Sequence, residues 1–319
     1  MPRLSPAVTA PPAPGPPLLV WNLLCPVLGE VRPLRARREV ERVSETVATP
    51  AMVIPKETLA FYRRSVDALL AARAPFLVGG SYAFERYTGI ARHSKDFDIF
   101  AREQDVDGIL TILEAMGSRT ERTFPHWLAK AYQGEDYVDV IYGGGSGIAV
   151  VDDEWFEHAV AGEVLGARVQ LIPAEEMIWS KGFVMERERY DGADIAHVIL
   201  RCGRELDWDR LLRRFEPDWR VLLSHVVMFG YVHPSERDAV PRRVVEELSD
   251  RLRREAEAPP PREKICRGPV VSRLQYLTDI RDRGYADVRL VEPRIHMNAE
   301  DVELWTKAAL AEAAAQVKK

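Results

Sequence analysis

The sequence predicts an α+β fold, in which a small mixed β-sheet flanked by helices carries a C-terminal helical lobe. Short apolar or alternating runs, typical of strands, lie between residues 76 and 172 and are separated by helical runs. Beyond residue 173 the apolar residues recur almost only at helical spacing. A chain of 319 residues, 46% of them hydrophobic, can bury a core of this size.

The predicted elements follow the apolar pattern along the chain. Strands are expected at residues 76–78, 96–100, 127–133, 137–142 and 167–172, the third and fourth forming an antiparallel hairpin. Helices are expected at residues 56–74, 81–87, 104–116, 173–185, 191–202, 208–215, 219–229, 242–254 and 272–283, and from about 298. Ser81 is expected to cap the second of these helices.

Proline placement sets the expected domain boundaries. Residues 1–55 hold 11 of the 22 prolines and are predicted to be a disordered tail, because proline blocks helix interiors and removes a backbone donor. Residues 56–172 are expected to form the core and residues 173–256 the helical lobe. The prolines at 259–261 open a linker and C-terminal extension over residues 257–319, whose arginines and tyrosines either pack on the lobe or bind nucleic acid.

The charge balance and the cysteines narrow the class of protein. The chain has 44 Lys and Arg against 49 Asp and Glu, a formal charge of −5, which argues against a surface that binds nucleic acid throughout. Three scattered cysteines and the apolar run at 18–28, too short to span a bilayer, predict a cytoplasmic protein without membrane contact. The seven histidines form no H-x-x-x-H or H-E-x-x-H pattern, so zinc hydrolysis has no support.

Three carboxylates are the strongest candidates for chemistry. Asp96 and Asp98 alternate along one strand and therefore point to the same face, and Asp139 lies at the centre of a second strand. Carboxylate oxygens are the ligands that hard divalent cations prefer, and Mg²⁺ keeps positions open for phosphate oxygens. The pattern predicts a magnesium site.

Gly79-Gly80-Ser81 precedes the carboxylates and predicts an anion site. Glycines let the backbone approach a ligand closely, and the helix that follows directs free N–H groups and a positive dipole end toward anions. Either motif alone is more often a simple turn or a solvated strand face. Together they indicate phosphoryl chemistry.

The combination resembles the polymerase-beta-type nucleotidyltransferase superfamily, in which a Gly-Ser turn precedes a D-x-D strand and a later strand with a third acid. The run from Gly79 through Arg92 and Lys95 to Asp98 is most similar to the abortive-infection-toxin-type branch. That branch also has a lysine-bearing helix followed by a D-x-x-D helix. This chain has similar residues in the same order: Lys181, then Arg187 or Arg189, then Asp191 and Asp194.

The resemblance implies a Mg²⁺-dependent transfer of a nucleoside monophosphate from an NTP to a hydroxyl acceptor, with release of pyrophosphate. Asp96, Asp98 and Asp139 would be the catalytic and metal-binding residues. The nucleotide-binding residues would be Gly79, Gly80, Ser81, Arg92, Lys95 and Lys181. Asp191 and Asp194 could contact Lys181 or substrate, or only complement a helix dipole.

The identity of the acceptor stays open between RNA, a protein side chain and a small molecule, and so does the presence of an operon-encoded protein partner. Two alternatives use the same fold. The chain could be a non-catalytic module that binds nucleotide or protein, or a hydrolase of phosphate esters that uses water in place of the acceptor.

Overall fold

The protein is described from a computed structural model that covers residues 54–91 and 96–317. The predicted proline-rich tail, residues 1–55, lies almost wholly outside the described residues. The strands are β1 Leu77–Val78, β2 Asp96–Phe100, β3 Arg119–Phe124, β4 Leu128–Gln133, β5 Asp136–Ile141, β6 Val160–Val164, β7 Ala167–Leu171, β8 Ile265–Cys266 and β9 Ala286–Asp287.

Helices lie between these strands along the chain and make up most of its second half. They are α1 Lys56–Ala71, α2 Gly80–Thr88, α3 Val106–Ala115, α4 Asp153–Glu157, α5 Ala174–Gly182, α6 Gly192–Cys202, α7 Trp208–Arg214, α8 Trp219–Val232, α9 Arg242–Glu257, α10 Leu277–Asp282, α11 Val288–Val291 and α12 Ala299–Val317. Each predicted helix is present in the structure, with boundaries shifted by a few residues.

Within the described ranges, seven strands form one mixed sheet in the order β3-β4-β5-β2-β1-β7-β6. The pairs β2–β5 and β1–β7 are parallel, and the other neighbours are antiparallel. Helices flank this sheet and a helical region follows it, so the predicted α+β class is confirmed. The parallel pair β2–β5 lies at the middle of the sheet, and it carries the candidate carboxylates.

Two strands of this sheet, β3 and β6, were not predicted. They form its two edges, and their sequences, RTERTF and VAGEV, lack a regular apolar alternation. An edge strand packs against one neighbour only, so most of its side chains stay partly or fully exposed. The periodicity that identifies half-buried strands is therefore missing from both.

The two faces of the central strands have opposite character. Phe97 and Ile99 of β2, with Val138 and Val140 of β5, are fully buried on one face. Helix α1 packs there through Tyr62, whose ring stacks on Phe97 with centroids 5.2 Å apart. Because strand side chains alternate, the intervening residues of β2 and β5 project from the other face. That face carries Asp96, Asp98 and Asp139.

A buried ion network joins helix α5 to α7. The Glu176 carboxylate, with 0% of its side chain exposed, accepts hydrogen bonds from Arg210 at 3.3 Å and Arg214 at 3.2 Å. Arg214 also donates to Asp152, at 2.5 Å, just before helix α4. The network therefore holds helices α5 and α7 against the segment between β5 and α4.

The C-terminal extension packs on the rest of the molecule. Trp305 of α12 contacts the β3–β4 turn, with its ring 4.6 Å from that of Phe124 and 5.3 Å from that of Trp127. Arg294 donates to Asp218 at the start of α8. Arg273 likewise pairs with Glu186, at 2.8 Å, so both arginines form ion pairs with the preceding part of the chain, as expected of a packed extension.

No helix in residues 54–91 or 96–317 is long and apolar enough to cross a bilayer. Cys202 and Cys266 are both free thiols. Cys25 lies outside the described residues.

Glu176→Gln should lower the free energy of unfolding by about 2 kcal/mol, because it removes one of the carboxylates that pair with the buried Arg210 and Arg214 guanidinium groups. Glu175 and Asp152 remain as their partners. Urea denaturation measures this change.

The matched control is Glu236→Gln, since Glu236 pairs with Arg204 on the exposed surface and should change stability by less than about 1 kcal/mol. Equal losses in the two variants would show that the network contributes no more than a surface pair.

Candidate active site

The register of β2 and β5 brings the three carboxylates onto one face. Asp98 pairs directly with Asp139, and Asp96 pairs with Tyr137. Paired residues of neighbouring strands project to the same side of a sheet, with strands about 4.8 Å apart. Asp96, Asp98 and Asp139 are all half-buried there. Two stretches of chain about 40 residues apart therefore supply one acidic cluster.

The glycine turn between β1 and α2 lies directly against this cluster. Gly80 has φ +54°, and a Cβ on it would lie only 1.7 Å from Oδ2 of Asp98. Both the backbone conformation and the close approach therefore require glycine. The first turn of α2 lies in contact with Asp98, and its free N–H groups lie at that end of the helix.

The other two residues of the turn have different environments. A Cβ on Gly79 would lie 2.1 Å from the Phe100 ring, and the Gly79 N–H donates to the Asp98 carbonyl at 3.0 Å. That amide is engaged with the sheet, which leaves the amides of Gly80 and Ser81 for an anion. The prediction that Ser81 is the N-cap was wrong: Gly79 is the N-cap, because Gly80 already opens the helix.

The environment of the carboxylate cluster disfavours the ionised form of Asp98. Burial, with the negative charges of Asp139 and Asp96, raises the pKa of Asp98 to about 7. The positive charges of Lys181 and Arg189 oppose this rise. A carboxyl with this pKa is only about half ionised at pH 7, and positive charge brought close to Asp98, such as that of a divalent cation, would favour its ionised form.

Asp139 has a cationic partner of its own. Lys130 of β4 is its cross-strand neighbour and donates to Oδ1 at 2.5 Å. Burial raises the pKa of the Asp139 carboxyl, and Lys130 opposes that rise. Asp139 therefore sits in an ion pair within the sheet.

Tyr137 interacts with both Asp96 and Lys130 on this face of the sheet. Burial and a hydrogen bond to Asp96 raise the pKa of the Tyr137 phenol. The Lys130 ammonium lies 3.9 Å from the centroid of the same ring. Tyr137 thus contacts both the carboxylate at one end of the cluster and the cation at the other.

Lys181, at the last turn of α5, faces the cluster from the helical lobe. Its ammonium pairs with Oδ2 of Asp191 and Oδ2 of Asp194, each at 2.9 Å. Arg189 donates to Asp191 at 3.0 Å, and its charge also acts on Asp98. The lobe therefore presents two cations toward the carboxylates, held in place by two acids of its own.

The donor set suits a hard cation. Mg²⁺ is usually bound through one or two carboxylates together with substrate phosphates and water, and Asp96 with Asp98 offers such a pair beside the helix N-terminus. Within residues 54–91 and 96–317, no three His, Cys, Asp or Glu side chains stand ready to hold a metal ion between them. A magnesium ion here would take its remaining ligands from phosphate oxygens and water.

Arg92 and Lys95, predicted to bind nucleotide, lie outside the described residues. The sequence did not single out Lys130 or Tyr137. The correct register of the β4–β5 hairpin would have identified both residues. Gln133 pairs with Asp136 across the turn, and this register places Lys130 opposite Asp139. The predicted turn over residues 134–136 was one residue too long to give that pairing.

No protein-family model matches the chain, and no curated protein matches it. Several solved structures have partly similar folds. The antibiotic-resistance factor ANT(2'')-Ia aligns at 18% identity and a TM-score of 0.39, over 54% of this chain and 98% of its own.

Two further structures align with similar scores. The lincosamide antibiotic adenylyltransferase LnuA, with lincomycin bound, aligns at 17% identity and a TM-score of 0.33, over 46% of this chain and 96% of its own. An antigenic nucleotidyltransferase-like protein from Paracoccidioides brasiliensis aligns at 14% identity and 0.35, over 59% and 95%. At these values the similarities assign neither activity nor substrate.

Gly80→Ala should destabilise the protein by about 2 kcal/mol or more, because it adds left-handed backbone strain and a clash with Asp98. The matched control is Gly89→Ala at the other end of α2, where φ is +72° and nothing lies within 4 Å of the added methyl. That variant carries the strain alone, about 1 kcal/mol. Urea denaturation of both measures the difference, and equal losses would contradict a close approach at Gly80.

Asp98→Asn should raise the melting temperature of the metal-free protein at pH 8 and change it little at pH 4. The folded carboxyl holds its proton up to about pH 7, against 3.8 for the ordinary group. The folded state therefore binds more protons than the unfolded state between these values, and wild-type stability falls as the pH rises through them. Thermal melts in EDTA measure the effect, and Asp67→Asn, on the exposed surface, is the control. A variant no more stable than wild type at pH 8 would contradict the raised pKa.

Proposed function

We propose that the protein is a Mg²⁺-dependent nucleotidyltransferase, which moves a nucleoside monophosphate from an NTP to a hydroxyl acceptor and releases pyrophosphate. One observation carries the proposal: the first turn of α2 approaches the Asp98 carboxylate so closely that residue 80 has no room for a side chain. A cation site and an anion site therefore share one small volume. A metal-bound triphosphate is the ligand that suits this combination.

In this proposal Asp96 and Asp98 hold the magnesium ion, with Asp139 beside them as the third carboxylate. The ion would neutralise the triphosphate and polarise the phosphorus that is attacked. Phosphoryl transfer needs mainly positioning and charge neutralisation. The amides of Gly80 and Ser81, with the Ser81 hydroxyl, would bind phosphate oxygens at the end of α2.

The reaction forms a bond between the acceptor oxygen and the α-phosphorus and breaks the bond between the α-phosphorus and the bridging oxygen. Pyrophosphate leaves with that oxygen. The proton of the acceptor hydroxyl passes to Asp139, whose raised pKa makes it a better proton acceptor than an ordinary aspartate. Lys130 keeps this carboxylate oriented.

Lys181 and Arg189 would act on the triphosphate from the lobe. Both already influence the charge of Asp98, so they lie near the place where the phosphates would bind. Asp191 and Asp194 would hold Lys181 in position. Arg92 and Lys95 remain proposed nucleotide ligands on the strength of the sequence. The run from Lys181 to Asp194 supports the abortive-infection-toxin-type branch, and the cytoplasm is the proposed location.

The double variant Asp96→Asn, Asp98→Asn should lose NMP transfer entirely, and each single variant should lose it by about 100-fold or more. The assay follows label from each of four α-labelled NTPs, with Mg²⁺ and host lysate as the acceptor source. Asp67→Asn, which removes an exposed carboxylate on α1, is the matched control and should keep full activity.

Transfer that survives in the double variant would refute the assignment. The product distinguishes the alternatives: free phosphate in place of pyrophosphate indicates a hydrolase. Magnesium-dependent thermal stabilisation by an NTP, without any labelled product, indicates a non-catalytic module.

A further inference from the structure

His225 is a buried histidine of α8 that contacts the backbone beside a cation of the candidate site. It lies on the inward face of its helix, and only 2% of the residue is exposed. Its Nε2 atom lies 3.0 Å from the carbonyl oxygen of Gly182. Gly182 is the last residue of α5 and directly follows Lys181. The imidazole of one lobe helix therefore contacts the end of another, next to the lysine that faces the carboxylates.

The protonation state of His225 follows from its surroundings. Burial lowers the pKa of the imidazole, so the ring is neutral at pH 7 and carries one N–H group. A carbonyl oxygen only accepts hydrogen bonds, so Nε2 holds the proton and donates it to Gly182. The carbonyls in the last turn of a helix have no partner within the helix, and this bond satisfies one of them. His225 thus acts as a C-terminal cap of α5 that is supplied by α8.

Close packing fixes the same end of α5 from other directions. A Cβ on Gly182 would lie 2.8 Å from the ring of Phe215, which directly follows α7. The Lys181 carbonyl accepts a hydrogen bond from the Val184 amide at 3.0 Å. The backbone from which the Lys181 side chain extends is therefore held by its own loop and by two neighbouring helices.

His225 also contacts the segment that carries the second cation of the lobe. The Tyr190 ring lies at 19° to the imidazole, with the ring centroids 6.3 Å apart. Tyr190 directly follows Arg189, whose charge acts on Asp98. One buried side chain thus contacts both of the segments that present cations to the carboxylates.

We infer that His225 is a positioning residue for the triphosphate site, because its hydrogen bond to Gly182 holds the end of α5 where the Lys181 ammonium can reach the phosphates. The inference rests on the proposed function for the role of Lys181. It goes beyond that function by assigning the position of this cation to a residue of α8.

The physical reason lies in the flexibility of a lysine side chain. Its rotatable bonds must be ordered when the ammonium binds phosphate, and a fixed starting point lowers that cost. Asp191 and Asp194 hold the ammonium end of Lys181. His225 fixes the backbone end, so the side chain is restrained at both ends before the ligand arrives.

Binding of inorganic tripolyphosphate tests the inference without reference to activity or base preference. Isothermal titration calorimetry of the full chain, with Mg²⁺ present, gives the dissociation constant. Lys181→Met should weaken binding by about 10-fold, as loss of a charged hydrogen bond does. His225→Phe keeps a ring against Tyr190 but removes the donor, and it should weaken binding by about 5-fold. His225→Gln, whose Nε2 can donate in place of the imidazole, should bind within about 2-fold of wild type.

A double-mutant cycle separates positioning from a general loss of stability. In the Lys181→Met background, His225→Phe should change the affinity by less than about 2-fold, because a cation that is absent cannot be misplaced. The matched control is His126→Phe. His126 is also buried, and its Nε2 lies 3.4 Å from the carbonyl of Gly145, but it packs against Trp305 of the C-terminal extension. That variant should keep wild-type affinity.

Thermal melts of each variant establish that binding is measured on folded protein, and His225→Met is a second donor-free variant where His225→Phe does not fold. Wild-type affinity in a folded donor-free variant would overturn the inference and show that His225 only packs. An equal loss from His225→Phe with and without Lys181 would also overturn it. Both results leave the proposed function intact, whereas a wild-type protein that binds no tripolyphosphate would overturn the proposed anion site and the inference together.

Discussion

The contact between the Gly80 backbone and the Asp98 carboxylate is the constraint on which the candidate site depends. An acidic side chain and the N-terminal turn of a helix meet there with no intervening side chain. The carboxylate attracts a cation, and the helix amides attract an anion. A single side chain at position 80 would separate the two, so the chemistry of the site follows from one glycine with a left-handed backbone.

Among the described residues around this contact, acids outnumber cations. Asp96, Asp98 and Asp139 face Lys130 from the sheet and Lys181 and Arg189 from the lobe, and Lys181 also pairs with Asp191 and Asp194. Burial and the neighbouring acids raise the pKa of Asp98 to about 7. An incompletely compensated buried acid is costly for folding, and such acids are concentrated at functional sites. We therefore attribute this destabilising arrangement to ligand binding and not to the fold.

The parts of this site that depend on local sequence patterns could be predicted from the sequence. The alternation of β2 and β5 and the pair of glycines before α2 could be recognised because each is set by neighbours in the chain. Two other features depend on packing. The edge strands β3 and β6 have no buried face to impose a period, and the start of α2 at Gly80 follows from the close approach to Asp98. Lys130 was missed because a one-residue error in a hairpin turn moves every cross-strand partner.

We propose that one small volume at the start of α2 binds a divalent cation and a triphosphate together. Crystals grown with MnCl₂ and a non-hydrolysable α,β-methylene analogue of each NTP would locate both ligands, with manganese identified by its anomalous scattering. We expect an anomalous peak coordinated by Asp96 and Asp98, with phosphate oxygens on the amides of Gly80 and Ser81. Manganese bound elsewhere, or a triphosphate bound away from the start of α2, would contradict the proposal.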